Sequence, residues 1–521
     1  MGSRSSSLPE VCVIASPRLR RFVSRLNPRR PDAREDLVAG PIRGELLGAE
    51  HLAERAQSVA SEQRLAVGPR ARRRTPLLER LNGTRRILDD AHARLTTVSA
   101  PSADLGPAGE WLLDNYYVVQ EHIGEVRESL PSGYYRELPE LATGPLAGYP
   151  RVYELAITLI SHSEGRIDLD NVSGFVGAFQ QVATLTIGEL WAVPAMLRLG
   201  LIENVRRMAL RTVQRLDELE AADAAAEYIA RASASDKDAL DEALTRFASD
   251  PPPLTATFVS RFLHQLRLEG GALPAVAQLE QWIADEALSA EEATGRATQR
   301  LALTQVVMAN SITSLRAIAR MDWRTFVERQ SRVEAVLRED PSGFYPRMTF
   351  ATRDQYRHVV ERIAKRTGRS EEKIAQRAID LARQGAEPGT DDPRRAHVGY
   401  YLIDEGLAQL ERATGYRPGA RDATYRWMRR HPNVVFVGGV LAGTVAALAA
   451  LLWLGGPAAA SAWLPVLLLG LIPANDIAIN LVNQIVTAFL PPRLLPKLDL
   501  DKYGVPPDYM EIGRASCRER V

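Results

Sequence analysis

Cysteine is nearly missing from this chain: 521 residues carry two, Cys12 and Cys517. Cys517 sits in a terminal peptide considered below, so one thiol remains, which excludes a disulfide framework and a cysteine-based zinc site. Net charge is missing as well. The 65 Lys and Arg against 64 Asp and Glu leave +1, too little for a global attraction to nucleic acid or to an anionic surface. No secretory signal opens the chain, because the apolar "VCVIA" at 11–15 is too short and arginines follow it. Strand-like alternation is almost absent up to residue 430. The familiar catalytic templates are absent too: there is no H-E-x-x-H, P-loop, G-x-S-x-G elbow or Rossmann fingerprint.

What is present is mostly helical pattern. Residues 1–100 are polar and rich in Pro and Arg, with 19 arginines against 11 acidic residues and the run "RARRR" at 70–74. They read as basic and partly disordered, apart from a helix over Pro76 to Arg94, and no aromatic interleaving accompanies the charge to suggest nucleic acid. From Gly109 onward the apolar residues Leu112, Tyr116, Val119, Ile123, Val126 and Leu130 recur at spacings of three and four, one face of an amphipathic helix. Further helices are predicted over 188–231, 237–248, 254–267 and 293–319. "PSGYY" at 131–135 and "PSGFY" at 341–345 each close a helical stretch, as Pro and Gly do.

The most specific local signal is a membrane hairpin. Val434 to Leu454, "VVFVGGVLAGTVAALAALLWL", contains no charge and is long enough to cross a hydrocarbon core of roughly 30 Å. A second apolar run follows the break at Gly455–Ala462 and ends before "PPRLLPK". Arg426, Arg429 and Arg430 precede the pair, Arg493 and Lys497 follow it, and the intervening loop is uncharged. The positive-inside rule then places both outer ends in the cytoplasm, with Trp427, Trp453 and Trp463 at the interfaces. Gly439 and Gly443 form a small-xxx-small pair suited to close helix approach. Asn475, Asp476, Asn480, Asn483 and Gln484 interrupt the second run, and Asp476, Asn480 and Asn483 share a helical face that should meet protein or water rather than lipid.

Candidate chemistry is sparse. Asp168 with Asp170, and Asp499 with Asp501, have the spacing of a metal-diphosphate pair, but neither follows an apolar strand, so both read as solvated loops. Glu121 and Glu125 share a helix face as surface charges without the opposing wall that acid/base chemistry on a sugar requires. Trp111, Tyr116, Tyr117 and Trp191 read as core packing ahead of sugar stacking. No catalytic, cofactor-binding or metal-ligating residue is assigned.

The terminal peptide "EIGRASCRERV", Glu511 to Val521, reads back codon by codon as a common sequencing adapter. It is expected to be an artefact, with the natural chain running on past Met510. The expected fold class is all-α: a helical cytoplasmic N-terminal domain followed by a two-helix transmembrane hairpin. Its division is 1–100 basic and partly disordered, 101–425 helical, 426–492 the hairpin (spans 434–454 and 464–490), 493–510 the start of a linker, and 511–521 the artefact.

Four stretches in order, "GEWLLDNYYVVQEHIGEVRESLPSGYYRELPEL" (109–141), "LTIGELWAVPAMLRLGLIENVRRMA" (185–209), "DPSGFYPRMTFATRDQYRHVVERIA" (340–364) and "HVGYYLIDEGLAQLERATGYRP" (397–418), resemble the N-terminal region of the cyclic β-1,2-glucan synthases. The hairpin followed by "LPPRLLPKLDLDKYGVPPD" resembles the same family's lead-in to its glycosyltransferase domain. The resemblance implies a multi-pass protein of the bacterial inner membrane whose transferase domain uses UDP-glucose, with a divalent metal (Mg or Mn) expected for the full-length family. It also implies later cyclisation and phosphorylase-like domains. The family's catalytic carboxylates belong to those domains, so no cofactor is expected in this stretch, and its expected partners are the lipid bilayer and the rest of the polypeptide, with no nucleic acid. The alternative is a non-enzymatic, membrane-tethered helical scaffold.

Overall fold

A computed structural model describes residues 42, 44–66, 75–97, 105–235, 237–270, 274–388, 392–456, 461–489 and 495–504. Cys12, the run at 70–74, Arg493 and the terminal peptide 511–521 lie outside these residues. Every extended element among the described residues is helical, and β-pairing is limited to isolated bridges. The chain forms two compact units that divide between Ser331 and Arg332, inside the stretch that the sequence reads as one helical domain.

Unit 1 contains α1 (Ala49–Glu62), α2 (Pro76–Thr96), α3 (Gly106–Ser129), α4 (Arg151–His162), α5 (Leu169–Val182), α6 (Ile187–Ser235), α7 (Lys237–Ser249), α8 (Ala256–Gly270), α9 (Pro274–Glu286), α10 (Ala290–Arg320) and α11 (Trp323–Gln330). Its mast is the 49-residue α6. From Leu190 to Val213 this helix is buried on nearly every side, several charged residues included, and α2, α3, α4 and α10 surround it. At Gly200 a methyl group would lie 2.5 Å from Ile160 Cδ1, so glycine is what lets α4 reach the mast. Farther along, Ala222, Ala226 and Ile229 of α6 build a second core with Phe247, Phe258 and Phe262, where Phe247 and Phe262 stack with centroids 5.0 Å apart.

Two features depart from the sequence reading. Residues 49–62, read as part of a basic and partly disordered segment, form α1, with Leu52, Ala56, Val59 and Ala60 buried on the side packed against α5. Three of those four side chains are small, so the apolar stripe barely rises above its charged surroundings. In addition, three described helices, not two, are long and apolar enough to cross a membrane by length and composition. The third is α10, whose Val307, Met308, Ile312, Leu315 and Ile318 are taken up by the unit 1 core.

Unit 2 contains α12 (Arg332–Leu337), α13 (Phe350–Thr367), α14 (Glu371–Gly385), α15 (Val398–Ile403), α16 (Leu407–Thr414), α17 (Ala420–Arg430), α18 (Pro432–Leu454), α19 (Trp463–Phe489) and α20 (Leu500–Tyr503). At its centre the Glu334 carboxylate, fully buried, receives Arg357 Nη1 at 2.6 Å, the Tyr345 hydroxyl at 2.7 Å and Arg338 Nε at 3.0 Å. Arg353 Nε lies 3.4 Å away.

Unit 1 uses the same device twice. Glu189 is gripped by Arg151 at 2.5 and 2.7 Å, and Glu203 by Arg80, Arg206 and Arg207 at 2.5–2.9 Å. Burial by itself pushes the Glu203 carboxyl up; the hydrogen bonds and charge of Arg206, with the charges of Arg80 and a hydrogen bond from Arg207, outweigh it and bring it down from 4.5 to about 2. A carboxylate depressed on folding contributes stability above its unfolded value and loses it as pH falls through its folded value, here about 3 kcal/mol between pH 4.5 and 2. Guanidinium unfolding followed by tryptophan fluorescence should therefore show that loss in the wild type. The Glu203→Gln variant should be less stable at neutral pH and lack that share of the acid slope; identical slopes would refute the assignment.

Candidate functional site

Helices α18 and α19 expose large apolar side chains that a protein in water would cover, including Val437, Leu441, Leu469 and Ile472, each more than 60 % exposed. They pack on each other through small residues. A methyl group on Gly443 would stand 3.0 Å from Ala478 Cβ, one on Gly439 3.3 Å from Val482, and one on Gly470 3.2 Å from Leu451. The pair expected at Gly439 and Gly443 thus lies in the helix–helix interface, where absent side chains allow backbones to approach. The facing surface of α19 is Ala474, Ala478 and Val482, all buried, with Asn475 Oδ1 3.4 Å from the Thr444 hydroxyl.

Because Ala474, Ala478 and Val482 face α18, the residues on the opposite side of α19 face away. Asp476, Asn480 and Asn483 are on that side and exposed. Asn480 Nδ2 donates to the Asp476 carbonyl at 2.9 Å, and Thr487 donates to the Asn483 carbonyl at 2.7 Å. These local bonds absorb some polarity but leave the Asp476 carboxyl outward. An ionisable group in a span costs about 3 kcal/mol on insertion scales.

Both ends of the hairpin are fastened to unit 2. On the way in, Arg426 of α17 makes a two-pronged ion pair with Glu411 at 2.6 and 2.7 Å and lies over the Tyr416 ring. On the way out, the Lys497 carbonyl accepts from Thr349 N at 2.9 Å, Lys497 N donates to the Thr352 hydroxyl at 3.0 Å, and Asp499 N donates to the Arg347 carbonyl at 2.8 Å. Arg353 Nη1 braces the receiving loop through the Met348 carbonyl at 2.7 Å. Trp427, Trp453 and Trp463 are all more than half exposed, as rings destined for an interface would be.

Several of the other residues singled out from the sequence have structural partners. Asp168 is the N-cap of α5, accepting from Asn171 N at 2.8 Å in a reciprocal cap, and Asp499 caps α20. Glu125 pairs with Arg198 at 2.8 Å, while Glu121 stays exposed. Tyr116 is buried, stacked on His92 and hydrogen-bonded to Asp89; Trp111 and Trp191 pack against the core; exposed Tyr117 meets Arg316. Among the described residues, no three His, Cys, Asp or Glu side chains gather to hold a metal ion.

One cluster escaped the sequence. Buried Asp340 accepts from His397 Nδ1 at 2.8 Å, Ser342 Oγ at 2.5 Å and Val398 N at 2.8 Å. Burial pushes its carboxyl up, and His397, Ser342 and the Val398 N–H together hold it below the usual range. Ser342 and His397 share the same carboxylate oxygen, so His397 does not stand between serine and aspartate as a base serving a nucleophile must. The cluster ties "DPSGFY" to "HVGYY", which open two of the four family-like stretches. That recurrence was the available signal.

No family model matches the chain. The chain is 31% identical over 504 residues to the cyclic beta-(1,2)-glucan synthase NdvB of Rhizobium meliloti (strain 1021), the similarity covering 94% of this chain and 17% of that protein. The resemblance read from four stretches therefore extends over nearly the whole chain, which spans about a sixth of its relative's length.

With Cys12 and Cys517 replaced by serine, cysteines introduced at Thr444 and Asn475 should form a disulfide on mild oxidation in membranes. Adding Gly443→Leu, whose side chain has no room against Ala478, should cut the yield to below roughly one third. An undiminished yield would refute the glycine-mediated packing.

Proposed function

We propose that this chain is the N-terminal region of a membrane-bound cyclic β-1,2-glucan synthase, acting as a helical body and membrane mount beside a glucosyltransferase domain that uses UDP-glucose. The observation that carries this reading is the 31% identity over 94% of the chain to a relative about six times longer. The hairpin supports it: a polar stripe at Asp476, Asn480 and Asn483 calls for further membrane-embedded protein or water beside α19, which the later spans of a multi-pass synthase would supply.

Transfer from a nucleotide sugar needs a metal-diphosphate site and a base for the acceptor hydroxyl. The described acidic pairs do not fit that role, since Asp168 and Asp499 already hold helix N-termini. The reading therefore assigns this chain support and orientation, and places glucosyl transfer in other parts of the synthase. Arg429, Arg430 and Lys497 at the outer ends of the hairpin favour a cytoplasmic location for unit 2 at the inner membrane. A self-contained, membrane-tethered scaffold is the second reading, favoured by unit 1 having its own cores.

Reporter fusions at residues 420, 458 and 500 should read cytoplasmic, periplasmic and cytoplasmic; a periplasmic signal at 420 would overturn the orientation. Incubated with UDP-glucose and Mg or Mn, the purified chain should release UDP at no more than background, while a full-length homologue turns over. Release near the homologue's rate would show that transfer chemistry resides in this chain.

A further inference from the structure

A cavity of about 80 Å³ opens in unit 1 where α6, α10 and the start of α3 meet. Helix α6 sends Arg211, Arg215 and Glu218 to it at spacings of four and three, and α10 sends Arg300 and Thr304. Elsewhere in this unit arginines at α6 are matched with carboxylates: Arg206 and Arg207 share Glu203, and Arg198 has Glu125. Arg211 breaks the pattern. Among the described residues its half-buried guanidinium makes no hydrogen bond or ion pair, and neither does the guanidinium of Arg300, an exposed residue whose charge acts on Glu218. Burial, and then the charges of Arg300 and Arg207, disfavour the charged form of Arg211. Glu218 answers this only in part: its carboxyl accepts from Gln214 at 2.7 Å, and burial pushes it above the usual range despite hydrogen bonds from Gln214, Thr255 and Thr257 and the nearby charge of Arg300.

Guanidinium groups that converge on a small cavity with a single carboxylate in its lining form an oxyanion receptor. Arginine's planar fork suits phosphate oxygens in particular. The Thr212 and Thr304 hydroxyls at the wall donate to the Met208 and Arg300 carbonyls and Thr257 donates to Glu218, so the guanidiniums are the donors left for an anion, and Leu105, Ala108 and Leu301 close the apolar side. We propose that this cavity binds a phosphate-class anion, either free phosphate or the phosphate of a small phosphorylated polyol, held by Arg211 and Arg300 with Arg215 beside them. Glu218 at the rim limits how tightly the anion is held: an ionised carboxylate opposes it, and a neutral one can donate to it. The site rests on unit 1 geometry and does not depend on the chain belonging to a glucan synthase.

The test uses the full chain in detergent, titrated calorimetrically with inorganic phosphate and with glycerol 3-phosphate, against potassium chloride at matched ionic strength and glycerol as the uncharged control. Phosphate should bind and raise the Tm where chloride does not. Arg211→Gln and Arg300→Gln should each weaken binding about tenfold, and Glu218→Gln should tighten it several-fold. Equal affinity for both probes would mean the site reads the free anion, and tighter glycerol 3-phosphate a phosphorylated ligand; both support the proposal. Without ligand, Arg211→Gln should melt at or above the wild type, since it removes a cation from among cations. The proposal is overturned if phosphate does no more than chloride, if Arg211→Gln binds as the wild type does, or if that variant melts well below the wild type without ligand.

Discussion

A carboxylate taken out of water must be given cations at its oxygens, and the order of unit 2 follows from how Glu334 meets that demand. Its partners come from three places in the chain: Arg338 just beyond α12, Tyr345 in the turn, and Arg353 and Arg357 on α13. Removing one partner of such a group typically destabilises by about 3–5 kcal/mol, because the remaining charge is stranded, so these segments are held in one mutual arrangement. Arg353 extends the chain of constraints to the Met348 carbonyl, and the same loop receives the segment that leaves the membrane hairpin. The buried cluster is thus linked through one loop to the segment at Lys497 and Asp499 that follows the hairpin in the chain.

The choice of arginine fits this architecture. The buried carboxylates Glu189, Glu203 and Glu334 each have arginine partners, and Glu203 and Glu334 accept from more than one at once. A planar fork can share an oxygen with a neighbouring fork, whereas ammonium groups would crowd it. Against that background Arg211, which makes no ion pair among the described residues, stands apart.

The helices were legible in the sequence because apolar period survives composition, and the hairpin because two apolar runs of membrane length, the first uncharged and the second charged only at Asp476, are flanked by arginine and lysine and match the thickness of a bilayer and the charge at its edges. α1 was hidden by small side chains at Ala56 and Ala60. The hubs were hidden for a different reason: Glu203 with Arg206 and Arg207, or Glu334 with Arg338, has the i,i+3 and i,i+4 spacing of an ordinary solvated helix face, and nothing local reports that such a face is buried. The same ambiguity affects α10, whose apolar stretch would serve equally for a bilayer or for a protein core until its neighbours are known. In the sequence Asp168 and Asp499 read as solvated loop residues, and their work as N-caps that open the helices α5 and α20 depends on backbone geometry that spacing does not encode.

The two fastenings of the hairpin change the mechanics of the molecule. A body hung from one flexible connection can swivel and change its distance from the surface that holds it. Unit 2 is joined on the way in by Arg426 on Glu411 and on the way out by Lys497 and Asp499 on the loop around Met348. Two separate attachment points resist rotation about either one, as a bracket does. Anything working in the same bilayer would then meet unit 2 at a constant height and with a constant face turned toward it.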